Sequence, residues 1–179
     1  MMELYAKGKR SLIYKENNLI IKKPHPNSKA INRMENEAHW LKILNKHNIG
    51  PRFLKLEKDS LYIEFIEGTP LVKYECKKKE LINLLKDLLK QCYTMDELKV
   101  NKFEMHHPTK HALVRKNKII LIDFERCKFT HTPKNVTQVC QFIARNYNLP
   151  ELLEKAKAYK QTYSKKAFED ICKALTNII

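Results

Sequence analysis

Leu121-Ile122-Asp123-Phe124-Glu125, the end of an apolar run that begins at Ile119, is the stretch on which the reading of this chain turns. A carboxylate at the end of an apolar strand, followed by phenylalanine, can coordinate Mg²⁺ on nucleotide phosphates. It can equally be an aspartate that only caps the turn after the strand. Just upstream, Lys116-Asn117-Lys118 separates Ala112–Arg115 from Ile119–Ile122, which reads as a hairpin. Before that hairpin, Asn101–His111 packs three histidines, two lysines and a carboxylate into one turn-rich loop. Loops at strand ends are where binding and catalytic groups concentrate. An imidazole metal site of His106, His107 and His111 is the weaker reading, since no cysteine lies nearby and adjacent histidines rarely converge on one ion.

Far upstream, Lys22 stands two residues after Ile20 in Asn18-Leu19-Ile20-Ile21-Lys22, so both side chains leave one face of a strand. A lysine there can reach α- and β-phosphates while Ile20 covers a base. Glu35 and Glu37, on a helix that follows, are candidates to hold such a lysine extended. Glu37 is better placed, being four residues before Leu41 of the apolar stripe. Taken alone, Lys22 and Glu37 also read as ordinary solvated charges.

Between these points the periodicity changes twice. Ser11–Tyr14 and Asn18–Lys22 form a hairpin around Lys15-Glu16-Asn17. Pro24-His25-Pro26 stops the second strand, and Asn27-Ser28 offers cap chemistry for a helix whose apolar face runs Ile31, Met34, Ala38, Leu41, Leu44. Asn48-Ile49-Gly50-Pro51 ends that helix. Strands at Phe53–Leu56 and Leu61–Phe65 follow, and then Glu67-Gly68-Thr69-Pro70 breaks the chain. Leu81, Leu84, Leu85, Leu88 and Leu89 line a helix from about Lys77 to Tyr93, and three more helices are expected at Asn135–Tyr147, Glu151–Tyr159 and Lys165–Thr176. The fold class is α+β: a β-rich front with one long helix, then a mainly helical back carrying one hairpin.

The 179 residues, 43% hydrophobic and 31% charged, hold enough apolar material for a core. No apolar run approaches the roughly 20 residues of a membrane span, and the N-terminus turns basic before an apolar run forms, so membrane and secreted classes are not expected. The five cysteines are far apart and fit reduced thiols in a cytoplasmic protein. A net charge of +15 suits an anionic partner such as nucleotide, RNA or an acidic protein. It also fits a plain Lys-rich exterior or a heat-adapted composition.

Taken in order, these signals are a hairpin with a basic turn, a strand lysine, a helical glutamate, an apolar strand leading into Glu67-Gly68, a His-rich loop, and a strand ending in Asp123-Phe124. Together they resemble the protein-kinase-like fold, nearest to small archaeal predicted Ser/Thr kinases, the RIO kinases and the kinase of the KEOPS tRNA-modification complex. The resemblance spans about Ala6 to Phe129 and is most specific at Leu121–Phe124 and Tyr62–Gly68. It implies one domain over 1–179, with a small N-lobe over 1–66 and a reduced C-lobe over 67–179. It implies Lys22 as the phosphate-orienting lysine, Glu37 as its partner and Asp123 as the metal ligand. Glu64, Phe65 and Ile66 would be the hinge that meets adenine. Ala6–Ser11 would replace the glycine-rich loop, keeping Gly8 and adding charge through Lys7, Lys9 and Arg10.

The loop before the second hairpin departs from the family pattern, which has an Asp five residues before an Asn and that Asn about a dozen residues before the metal-binding Asp. His111 falls at the Asn position and His106 at the Asp position. Alternatively, Glu104 replaces the Asp in a loop two residues longer, which is preferred because a carboxylate can accept the proton of an acceptor hydroxyl. His111 would then bind a second metal or hydrogen-bond Glu104, and Lys110 would neutralise transferring charge. Glu125 stands where the family has glycine. The expectation is an ATP- and Mg²⁺-dependent phosphotransferase of the Ser/Thr-kinase type acting on an unidentified protein or RNA-associated acceptor. The alternative is a pseudokinase or RNA-binding module without phosphotransfer.

Overall fold

Short β-rich runs within the first 64 residues build a five-stranded antiparallel sheet. In the computed structural model, which describes residues 2–29 and 31–178, its strands are β1 (Glu3–Lys7), β2 (Ser11–Glu16), β3 (Leu19–Pro24), β4 (Phe53–Glu57) and β5 (Ser60–Glu64). Their spatial order is β1-β2-β3-β5-β4. Asn17 turns β2 into β3 at φ 52, a left-handed conformation that Asn tolerates. Register puts Ile20 opposite Ile63 and Lys22 opposite Leu61, and opposed residues share a face, so Lys22 emerges among buried aliphatic side chains. β1 escapes the sequence reading because its residues are nearly all exposed and carry no apolar alternation.

Helix α1 (Arg33–Leu44) packs on this sheet through Met34, Ala38, Leu41 and Leu44, all nearly inaccessible. Met34, Leu41 and Leu44 each contribute about 2 kcal/mol by leaving water, and the Ala38 methyl less than half of that. Its start differs from expectation. Asn27 and Ser28 do not cap it, because α1 begins five residues beyond Ser28; their amides instead close the turn after Pro24, Ser28 donating to the His25 carbonyl and Asn27 to His25 Nδ1. The helix is entered through Asn32 at φ 55 with no side-chain cap, and Ile31 lies before it, 83% exposed, rather than on the buried stripe. At the other end one 3₁₀ turn (Asn45–His47) and left-handed Asn48 reverse the chain. Asn45 secures that reversal, donating from Nδ2 to the Ile49 and Pro51 carbonyls and accepting from the Phe53 amide at 2.7 Å. Gly50 sits at φ +83, where a Cβ would stand 2.9 Å from both Leu41 Cδ2 and Phe124 Cε2.

The chain divides into two compact units, Met1–Gly68 with Ile120–Cys127, and Thr69–Ile119 with Lys128–Ile179. The second is built on α2 (Lys78–Glu97), α3 (Asn135–Asn146), α4 (Glu151–Thr162) and α5 (Lys165–Ala174). Short strands β6 (Thr69–Pro70), β8 (Ala112–Arg115) and β9 (Lys118–Leu121) form one sheet, and β7 (Val100–Asn101) pairs with β10 (Lys128–Phe129). The α2 stripe continues past Leu89 through Cys92, Met95 and Asp96, so the helix runs four residues beyond Tyr93. Asp96 is buried at the start of α3, where it accepts from the Asn135 and Val136 amides, from Asn135 Nδ2 at 2.7 Å and from the Tyr159 hydroxyl at 3.1 Å. No helix among the described residues is long and apolar enough to cross a membrane. None of the five cysteines is in a disulfide: Cys92, Cys127 and Cys140 are buried, and Cys76 and Cys172 are partly exposed.

Candidate functional site

Within the first unit, three stretches of chain bring their charged groups together. Lys22 Nζ, on β3, donates to Glu37 Oε2 at 2.7 Å and Oε1 at 2.9 Å, and lies 3.6 Å from Asp123 Oδ1. Glu37, not Glu35, is the helical partner, because its place among Met34, Ala38 and Leu41 turns it inward to full burial. Burial alone would push the Lys22 ammonium down, but the charges of Glu37 and Asp123 outweigh it and hold the lysine above its ordinary range. The pair is charged, bidentate and dry on the Glu37 side.

The Asp123 segment is fixed by the same glutamate. The Phe124 amide donates to Glu37 Oε1 at 3.1 Å, and the Phe124 ring is fully buried against Gly50 and Leu41. Asp123, at φ 65, is thereby turned so that its carboxylate faces the lysine while the next side chain enters the core. A non-glycine residue held in this region is costly and needs surrounding structure to enforce it. Asp123 keeps about a third of its side chain exposed, enough to meet a ligand.

Three residues that sequence reasoning passed over hold that segment to α1. Asn36 Nδ2 donates to the Glu125 and Cys127 carbonyls, and Trp40 Nε1 donates to the Cys127 carbonyl and to Asn36 Oδ1. Arg33 Nη1 donates to Glu125 Oε1 at 3.2 Å. The available signal was spacing, since Arg33, Asn36, Glu37 and Trp40 fall on one helical face. Burial raises the Glu125 carboxyl above its usual range, the Asp123 charge adds to this, and Lys22 and Arg33 oppose it.

The other candidates of this unit lie on the same sheet. Gly8, Lys9 and Arg10 form the exposed turn between β1 and β2, closed by the Gly8 amide donating to the Ser11 carbonyl at 2.8 Å. Ile20 is nearly buried beside Lys22 on β3. Beyond β5, the Phe65 amide donates to the Asn18 carbonyl and the Glu64 amide to the Arg52 carbonyl, each at 2.9 Å. Tyr5 meets the Phe65 ring edge-on and Lys15 Nζ lies 4.1 Å above it, while Ile66 is buried.

The second unit carries Glu104, His106, Lys110 and His111. Met105 is fully buried and anchors the loop, while Glu104 adopts φ 72 and stays exposed. His111 Nε2 lies 3.6 Å from Glu104 Oε2 after a 3₁₀ turn at Pro108–Lys110. The His106 carbonyl accepts from Arg145 Nη2 at 2.9 Å and its ring tilts against His107. Lys110 is exposed. No cluster of three His, Cys, Asp or Glu side chains able to hold a metal occurs among the described residues. The donor chemistry of Asp123 still fits Mg²⁺ bound with nucleotide phosphates, because that ion takes one or two carboxylates and completes its shell with phosphate and water.

No protein-family model and no curated protein matches this sequence. Solved structures do match in fold. The Rio2 kinase–ADP/Mg²⁺–phosphoaspartate complex of Chaetomium thermophilum aligns over 98% of this chain and 69% of its own, at 12% identity and TM-score 0.61. The gentamicin–APH(2")-IIa complex aligns over 99% and 91%, at 10% identity and TM-score 0.58. WbdD with the kinase inhibitor LY294002 aligns over 97% of this chain but 45% of its own, at 17% identity and TM-score 0.64. At such identities the likeness is one of architecture, and the architecture of this chain is the protein-kinase-like fold.

Proposed function

We propose that the chain is an ATP-dependent phosphotransferase of the Ser/Thr-kinase type, transferring the γ-phosphate to a hydroxyl. The observation that carries this reading is the Lys22–Glu37–Asp123 constellation, two carboxylates on one buried ammonium in a kinase-like fold. The ADP and Mg²⁺ of the Rio2 kinase complex support it. In this reading residues 1–66 are the N-lobe and 67–179 the reduced C-lobe of one domain in a cytoplasmic protein.

Lys22, kept extended by Glu37, orients the α- and β-phosphates, and Ile20 covers the base. The Gly8–Arg10 turn lies over the phosphates, with Lys9 adding charge that a single glycine cannot supply through backbone amides. The Phe65 and Glu64 amides are spent on the Asn18 and Arg52 carbonyls, so an adenine edge is left to Ile66 and to the carbonyls of Glu64–Ile66. Asp123 would hold Mg²⁺, which neutralises phosphate charge when bound. Glu104 accepts the proton of the acceptor hydroxyl, His111 orients Glu104 or takes a second metal, and Lys110 offsets charge on the group in transfer. Phosphoryl transfer asks mainly for such positioning and charge stabilisation.

The net charge of +15 favours a second reading, a nucleotide- or RNA-binding module without transfer. Incubation with γ-labelled ATP and Mg²⁺ separates the two. Transfer that is abolished by Asp123→Asn and strongly reduced by Glu104→Gln supports the kinase. Salt-sensitive RNA binding with no transfer by the wild type supports the module.

A further inference from the structure

Glu125 occupies the position after Asp123-Phe124, and its side chain is about nine-tenths buried. One of its carboxylate oxygens, Oε1, meets two guanidinium groups from separate elements: Arg33 Nη1 at 3.2 Å, from the first turn of α1, and Arg10 Nη1 at 3.8 Å, from the β1–β2 turn. Further along, α1 is held to this segment by Asn36 and Trp40, donating to the Glu125 and Cys127 carbonyls, and by Glu37, accepting from the Phe124 amide. Those fix the middle of the helix. Its first turn is different, because it is entered through left-handed Asn32 and has no side-chain cap. The amides there lack the usual Ser, Thr or Asp partner that keeps a helix start from fraying. A charge-assisted bond from Arg33 to a desolvated carboxylate is the strongest kind of tie available to replace it. The same carboxylate reaches the turn that is expected to lie over the phosphates.

We propose that Glu125 is a positioning residue whose carboxylate clasps the start of α1 and the β1–β2 turn to the Asp123 segment, and so sets nucleotide affinity by holding Glu37 at Lys22. This rests on the reading of Lys22, Glu37 and Asp123 as the nucleotide grip. The clasp acts through geometry and needs no contact between Glu125 and nucleotide.

Amide hydrogen exchange over residues 33–44 tests the clasp without any ligand, and titration with ADP and Mg²⁺ tests its consequence. Glu125→Gln keeps size and removes charge. It is expected to speed exchange in the first two turns of α1 about tenfold, the scale of one charge-assisted hydrogen bond. Exchange in α2 should not change, and ADP·Mg²⁺ affinity should weaken by a similar factor. Glu125→Asp should recover most of both effects. Wild-type exchange in Glu125→Gln overturns the clasp. So does a uniform rise across both units, which would mean general destabilisation, or a Glu125→Asp variant no better than Gln. If the wild type itself binds no ADP·Mg²⁺, the nucleotide reading and the affinity role both fall, while the exchange comparison alone still decides whether Glu125 secures α1.

Discussion

Lys22 and Glu37, fifteen residues apart, form a bidentate ion pair at 2.7 and 2.9 Å with the carboxylate fully buried. Removing one partner leaves the other desolvated, which costs about 3–5 kcal/mol in comparable buried pairs. Lys22→Met should therefore lower the urea midpoint sharply. The double variant Lys22→Met with Glu37→Leu should recover much of that loss, although the Phe124 amide then loses its acceptor. A double variant as unstable as the sum of the singles would show that the two residues act independently.

Gly50 gives a second, purely steric prediction. Its φ of +83 disfavours any side chain, and a Cβ would press on Leu41 and on the Phe124 ring at 2.9 Å. Gly50→Ala should destabilise by about 1–3 kcal/mol, combining backbone strain with overpacking. Because the ring it displaces follows Asp123, nucleotide affinity should fall along with the unfolding midpoint. A neutral or stabilising Gly50→Ala would contradict the described packing.

Asp96 predicts a pH dependence. Burial raises its carboxyl from 3.8 to about 6, with the Asn135, Val136 and Tyr159 donors opposing the rise. The folded state then holds a proton that the unfolded state has released between about pH 4 and 6. Stability from this group is thus greatest at low pH and declines as pH climbs through that window, by about 3 kcal/mol in all. Urea midpoints of wild type and Asp96→Asn, compared at pH 4.5 and 7.5, should show the wild type losing stability relative to the variant at the higher pH. A difference that does not change with pH would refute the shift.

Much of this was legible in the sequence where burial imposes a period. The α1 stripe turned Glu37 inward with Leu41, and the two-residue step from Ile20 to Lys22 marked one strand face. Leu121-Ile122 announced a buried strand running into Asp123. The start of α1 was not legible, because Asn27 and Ser28 have cap chemistry yet were claimed by the turn after Pro24. The Asn36 and Trp40 bonds to residues 125–127 lie about ninety positions away in sequence, beyond any local period. The Asp96–Asn135–Tyr159 network is hidden for the same reason: each residue reads as a solvated polar side chain until three helices meet.

Calorimetric titration of ADP, with and without Mg²⁺, into wild type and Asp123→Asn decides whether the Lys22–Glu37–Asp123 group is a nucleotide–metal grip. Asp123 is partly exposed, so its amide variant should unfold at nearly the wild-type midpoint. Wild-type binding should strengthen with Mg²⁺, and the variant should lose that enhancement by at least about tenfold, the effect of about 1.4 kcal/mol. Equal affinities for the two proteins, or wild-type binding indifferent to Mg²⁺, would contradict it.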